Sequence, residues 1–351
     1  MTLTRSSRIT QRKIAELAGV SQSTVSLVLN GETSARIPEE TRRRVLEVIR
    51  ETTYVADPAA RRLAGVGNKL IGVFTYEHAF PSETADFYTP LLTGIESEAE
   101  SLGLDLLMFT SAPLVDGRRQ IFHENSRLRL ADGCVLLGRE MNADELDRLR
   151  ESGYPFVAIG RRDGDVPYVG LDYATPTTEL AKRAVAAGHR SAFYVRLSLT
   201  AEASRDRSEA LAEELTASGV RLDSAESSLI GLDAVWREVV DSGATVLFVE
   251  DPTDAENLFA LAQASGISIP GDLSMIVLGE RSKPQDRAVD FTRLSAPRSE
   301  LGSKAVALLD QLLNGVRADE PLELQQLLRC TVVDGRTLAA PHKGTNKGTK
   351  S

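Results

Sequence analysis

From Lys69 onward the chain repeats one unit: a short apolar run followed by an amphipathic helical stretch. The runs are LIGVFTY, LDLLMFT, DGCVLLG, YPFVAIG, SAFYVRL, TVLFVED and LSMIVLG. Among them fall helical stretches such as AKRAVAAG, RSEALAEELTASG, AENLFALAQASG and ELGSKAVALLDQLLNG. Runs this short, with little polar alternation, suit strands covered on both faces, and the helices supply the cover. The alternation therefore predicts parallel α/β layers. In such sheets ligands bind beyond the carboxyl ends of the strands. A chain of 351 residues has room for two or three domains of roughly 100–200 residues each.

The stretch before Lys69 follows a different rule. Thr10 is placed to cap a helix carrying Ile14, Ala15, Leu17 and Ala18, Gly19 supplies a sharp turn, and Ser21 caps a second helix ended by Asn30-Gly31. That second helix, in AGVSQSTVSLVLNG, has one apolar stripe of Val20, Val25, Val28 and Leu29. Its other face is Gln22, Ser23 and Ser26, with Thr24 beside it, poor in both bulk and charge. Helix, glycine turn and capped helix make a helix-turn-helix layout, whose second helix enters a DNA major groove only ~12 Å wide. Gln pairs with adenine, Ser and Thr bond bases or phosphates, and the free N–H groups at a helix start hold an anion. Periodicity alone leaves open a Ser/Thr-rich helix packed in some other bundle. A third helix, PEETRRRVLEVIRET, has Glu39 and Glu40 in its first turn and Val45, Val48 and Ile49 inside. A fourth, in YVADPAARRLAG, is capped by Asp57, has Pro58 in its first turn and stops at Gly65. At about two turns it is below the ~12 residues that hold a helix in water, so it needs a partner to form.

Charge separates the two regions. Residues 1–69 carry 12 Lys+Arg against 7 Asp+Glu, the rest of the chain 29 against 43. A basic head on an acidic body points the head toward a polyanion. No run of about 18 apolar residues exists, so no membrane span is expected. The N-terminus has no apolar segment of the secretory kind. Cys134 and Cys330 stand far apart in apolar surroundings and read as free buried thiols in a reducing, cytoplasmic compartment. Metal-protease, nucleophile-elbow, P-loop and cysteine-pair motifs are missing, so neither an enzyme, a metal nor a cofactor is expected. His189, in AAGHRS, reads as a packing residue.

ITQRKIAELAGVSQSTVSLVLNG resembles the opening of the lactose-repressor (LacI/GalR) family, through Ile14, Ala15, Ala18, Gly19, Val20, Ser21, Thr24, Val25, Ser26, Val28, Leu29 and Asn30. The likeness continues through TRRRV and YVADPAARRL, and more loosely through LIGV, DGCVLLG, AAGHRSAFYV, SIPGDLSMIVLG and LSAPRSELGSKAVALL. It implies an all-α helix-turn-helix head at 8–56, a hinge helix and linker at 57–68, and an α/β two-lobed periplasmic-binding-protein-like body at 69–340. The second lobe would lie at about 173–292, and 341–351 would be a disordered tail. By the same resemblance Gln22, Ser23 and Leu27 stand where the family reads bases. Ser21, Thr24, Ser26 and Asn30 stand where it touches phosphate or braces the motif. Leu63, with Ala60 one turn earlier, matches the hinge wedge that enters the minor groove. Leu27 stands where many relatives have Arg or His, so a relative's operator is not transferable.

The resemblance also implies a small molecule between the lobes. Strand-end positions nominate Tyr76, Phe87, Tyr88, Arg161, Arg207, Glu250, Asp251 and Glu280 as its contacts. Arg207 matches the family's cleft arginine, although an ion pair with Asp206 or Glu209 is an open alternative. Gly279 and Glu250-Asp251 depart from the family's usual polar anchors, which puts a standard monosaccharide in doubt. The expected function is a sequence-specific DNA-binding transcriptional regulator, a repressor acting as a homodimer on a palindromic operator, controlled by a sugar or related metabolite. The alternative is a cytoplasmic small-molecule binding protein with a vestigial head. The tail has no leucine heptad, so no tetramerisation helix is expected.

Overall fold

The computed structural model describes residues 9–29, 37–52, 54, 67–77, 88–281, 289–315 and 322–342. It divides into two compact units, Met1–Lys69 and Leu70–Ser351. The first holds helices α1 (Gln11–Ala18), α2 (Gln22–Leu29) and α3 (Glu39–Thr52). Thr10 caps α1 through its side chain, accepting from the Lys13 N–H, and Gly19 ends it at φ +64°, a backbone region that glycine enters without strain. Ile14, Ala15, Ala18, Val25, Val28 and Val45 form the buried core of this unit, with Val20, Leu29, Val48 and Ile49 packed around them. The apolar spacing in each helix thus closes one three-helix core.

The second unit is two layered α/β lobes. The first lobe is built on β1 (Leu70–Thr75), β2 (Asp105–Phe109), β5 (Gly133–Leu137), β6 (Phe156–Ile159), β7 (Tyr168–Asp172) and β13 (Gln325–Arg329), with a small hairpin of β3 (Leu114–Val115) and β4 (Arg118–Arg119). Its strands run in the order β13-β7-β6-β5-β1-β2, every pairing parallel. The second lobe takes β8 (Ser191–Arg196), β9 (Arg221–Glu226), β10 (Val246–Val249), β11 (Ser274–Val277), β12 (Thr292–Ser295) and β14 (Thr331–Val333), in the order β14-β12-β11-β10-β8-β9. Only the β12–β14 pairing is antiparallel. The central strands β5, β6, β10 and β11 are buried along their whole length, as parallel strands covered on both faces must be.

Helices α4 (Tyr88–Ser101) and α5 (Ala143–Glu151) belong to the first lobe, and α6 (Ala174–Ala187), α7 (Glu202–Ala217), α8 (Leu232–Ser242) and α9 (Pro252–Ala264) to the second. Helix α10 (Arg298–Asn314) returns from β12 to pack on α4 and on strands of the first sheet. The α4–α10 approach is set by two glycines. A Cβ on Gly94 would lie 1.9 Å from the Ser299 carbonyl oxygen, and one on Gly302 would lie 2.2 Å from that of Leu91.

The chain passes between lobes three times: after β7 at Tyr173, between β12 and α10 at Ala296 and Pro297, and between β13 and β14 at Cys330. The second sheet therefore recruits β14 from beyond the 173–292 span that the sequence suggests. Cys134 and Cys330 are both free and buried. Burial pushes the Cys330 thiol up to about 12.

Candidate functional site

The exposed end of α2 is organised by one hydroxyl. The Ser21 Oγ accepts from the Thr24 N–H at 3.1 Å and lies 2.8 Å from both the Ser23 Oγ and the Thr24 Oγ1. That bond satisfies one of the donors that every helix start leaves open. Gln22 and Ser23 point outward and exposed, Thr24, Ser26 and Leu27 are half-buried, and Val25 and Val28 face the core. The outward face thus offers an amide and hydroxyls, with no charged side chain on α2 itself. Asn30, Ala60 and Leu63 lie outside the described residues.

The second candidate is a cavity of about 300 Å³ lined from both lobes. Tyr88, Arg161, Arg207, Glu250, Asp251 and Glu280, all nominated from the sequence, line it. Phe87 lies outside the described residues. Tyr76 is a correction: it is 1 % exposed, sits edge-on to Phe74 at 5.3 Å in the apolar core of the first lobe, and does not line the cavity. Strand alternation explains the miss, because a one-residue step along an extended chain turns a side chain to the opposite face.

Each lobe supplies its polar groups from strand ends. Glu250, just past β10, is buried and fully engaged. It accepts from the Tyr194 hydroxyl and the Leu197 N–H, each at 3.0 Å, from the Ser204 hydroxyl at 2.5 Å and from Arg207 at 3.3 Å. Arg207 donates to the carbonyls of Leu278 at 3.0 Å and Ala203 at 2.9 Å, and its guanidinium carbon lies over the Tyr173 ring, 3.4 Å from the ring centre. Burial works against its charge, yet the facing Tyr173 and Glu250 hold its pKa above the ordinary arginine value. Neither Asp206 nor Glu209 is its ionic partner. Asp206 instead takes a two-pronged bond from Arg161 of the first lobe, at 2.8 and 2.7 Å.

Three consecutive residues after β6 reach across in this way. Arg161 meets Asp206, Arg162 meets Glu202 at 3.0 Å, and Asp163 meets Arg205. Glu202, Arg205 and Asp206 all belong to the first two turns of α7 in the second lobe. Arg162 is buried, and desolvation lowers its pKa; it also donates to the carbonyls of Gly138 and Ile159. Gly160 takes φ +97° directly beneath that guanidinium, which lies 3.3 Å from where a Cβ would stand. Sequence reasoning named Arg161 but missed Arg162, Tyr173, Asp206 and Arg298, which also line the cavity. The neighbouring charges in GRRDGD and SRDRSE were the available signal. Tyr173 gave none, because its role comes from standing at a crossing between lobes.

Among the described residues, no group of three or more His, Cys, Asp or Glu side chains is placed to hold a metal ion, and no helix is long and apolar enough to cross a membrane. His189 is buried, with its ring nitrogens 2.9 Å from the Thr245 hydroxyl and 2.9 Å from the Ala339 carbonyl oxygen.

Residues 10–57 match the family of bacterial regulatory proteins, lacI family, and residues 181–338 match the periplasmic binding protein-like domain. The chain is similar to the HTH-type transcriptional regulator CelR of Thermobifida fusca, 27 % identical over 335 residues that cover 91 % of this chain and 96 % of that protein. It is similar to the catabolite control protein A of Staphylococcus aureus strain N315, 24 % identical over 321 residues covering 89 % and 95 %. In fold it is similar to the Lac repressor dimer bound to operator and the anti-inducer ONPF, with a TM-score of 0.74 at 20 % identity, covering 95 % of this chain and 99 % of that one. The capped second helix with its slim polar face thus lies in a lacI-family segment, and the second lobe, with its share of the interlobe cavity, lies in a periplasmic binding protein-like segment.

Proposed function

We propose that the protein is a sequence-specific transcriptional regulator, a repressor. It binds a palindromic operator as a homodimer in the cytoplasm and responds to a small molecule held between the lobes of its body. The observation that carries this is the exposed Gln22–Ser23 face of α2, braced by the Ser21 hydroxyl, inside the segment that matches the lacI family. Gln22 is the direct base reader, Ser23 and Leu27 flank it, and Ser21, Thr24 and Ser26 hold the phosphate register. The roles of Asn30 in the motif and of Ala60 and Leu63 at the hinge rest on the resemblance alone.

The relatives' names support the reading. One solved relative is a CelR–cellobiose complex and another is the Lac repressor on its operator. In this chain the interlobe cavity, whose wall includes Arg161, Arg207, Glu250, Asp251, Glu280 and Tyr88, is where a small molecule would act. Selection of duplexes from a randomised two-fold library by gel shift tests the DNA half. One palindrome of roughly 14–20 bp should emerge, with half-sites spaced by the dimer, and binding should weaken steeply with salt. A protein that grips random and selected duplexes equally would instead support the small-molecule binding alternative.

A further inference from the structure

We infer that the ligand of the interlobe cavity is a small neutral molecule with a largely apolar, ring-sized body, not a polyhydroxylated sugar. This rests on the reading of the cavity as the effector site and names the chemistry of its occupant.

Every carboxylate that lines the cavity is already engaged by the protein. Glu250 accepts four hydrogen bonds. Glu280 accepts from the Ser295 hydroxyl at 2.7 Å and from Arg293 and the Ala296 N–H, each at 3.4 Å. Asp206 is spent on Arg161, Asp251 caps α9 through the N–H groups of Thr253 and Asp254, and Glu140 meets Arg118 and Thr200. The Tyr88 hydroxyl donates to Glu77. Of the five lining arginines, Arg161 meets Asp206, Arg162 meets Glu202, Arg207 meets Glu250 and Arg139 meets Asp251, while Arg298 donates to the Glu280 carbonyl. Five arginines and five carboxylates line the cavity, so their charges balance and favour neither sign of ligand.

Most of what remains to touch a ligand is hydrocarbon. Leu91, Leu137, Ile159, Leu171, Leu294 and Leu301 line the cavity, each at most 5 % exposed to solvent. They come from both lobes and from α10. A sugar brings a hydroxyl on nearly every carbon, and each must lose water on entry and find a protein partner. Here those partners would have to be taken from existing bonds, which costs more than it returns. An apolar ring loses nothing of the kind and gains contact with the aliphatic floor. The volume of about 300 Å³ suits a molecule of one ring with short substituents.

The test uses the full chain. Heat unfolding and calorimetric titration are run with two probe sets: glucose, ribose and cellobiose, against benzyl alcohol, vanillin and cyclohexanol. The inference expects saturable stabilisation by at least one apolar probe, bound at least tenfold more tightly than any of the sugars. Ala203→Phe and, independently, Ala296→Leu fill the cavity. Each should lower that affinity at least tenfold while circular dichroism and melting temperature stay native. Three results overturn the inference: no apolar probe binds, a sugar binds more tightly than all of them, or the apolar probe binds equally in both filled variants. The outcomes also separate the two claims. Sugar binding lost in the filled variants keeps the cavity as effector site and refutes only the apolar class. Binding of any probe that survives both variants places the effector elsewhere and refutes the site itself.

Discussion

The sharpest dependence on a single side chain is at Gln22. It stands exposed on a face otherwise made of hydroxyls, so its amide is the one group there able to make a paired contact with a base edge. Gln22→Ala should weaken specific operator binding by ~1–3 kcal/mol and relax selectivity at one position per half-site. Affinity for random DNA should hold; a gel shift on operator and scrambled duplexes compares the two. His189 carries a second prediction. Burial lowers its pKa from the usual 6.5, so the folded state favours the neutral ring. A depressed histidine contributes stability that is fully present above pH 6.5 and is lost as pH falls through its folded value. Melting temperature should therefore drop on acidification below pH 6.5, and His189→Gln should flatten that slope; identical slopes would remove His189 as the cause. At this scale the sequence was legible where chemistry is local. The Thr10 and Ser21 caps and the Gly19 turn each depend on neighbours within three residues. Tyr76 was misplaced because its side depends on strand register, and the Arg161–Asp206 bond was hidden because its partners stand 45 residues apart.

Among the elements, the α4–α10 pair has the least tolerance. Backbone carbonyls fill the space beside Gly94 and Gly302, with no flexible side chain to yield. Gly94→Ala should force the helices apart and destabilise the body by ~1–3 kcal/mol or more, visible as a lower denaturant midpoint. A substitution at Gly103, which has open space around it but φ +64°, should show only backbone strain. The elements legible from sequence are the buried ones: all seven apolar runs fall on or overlap strands. The strands that escaped include the buried β7, YVGLD, and others that are mixed or mostly polar. Strand β9, RLDSAE, lies at a sheet edge, and β13, QQLLR, alternates between exposed and half-buried positions. An edge strand needs little apolar surface, so periodicity does not announce it.

In the whole molecule, the lobes of the body are joined by ion pairs as well as by three chain crossings. Arg161–Asp206 and Arg162–Glu202 span the rim of the cavity, and the second pair is largely buried, with 4 % and 15 % side-chain exposure. Glu202→Gln leaves a buried guanidinium without its counter-ion and should cost ~3–5 kcal/mol. Asp206→Asn acts at a more exposed pair and should cost less than ~1 kcal/mol. Both variants should widen the body in X-ray scattering, and added salt should mimic Asp206→Asn far better than Glu202→Gln. Unchanged scattering profiles would show that packing alone holds the lobes closed. The two-lobed plan was legible from strand–helix alternation and the family resemblance together. The threading of the last two strands was not, since no local signal tells a chain which of two similar sheets to join.

That threading has a consequence for synthesis. Strands β13 and β14 lie within residues 325–333 and complete different sheets. Neither lobe is whole until residues 325–333 have emerged from the ribosome, so the usual order, N-terminal portion first, is denied to this body. A message truncated before codon 325 would yield not one sound lobe and one ruined one but two with raw margins, a product fit for proteases.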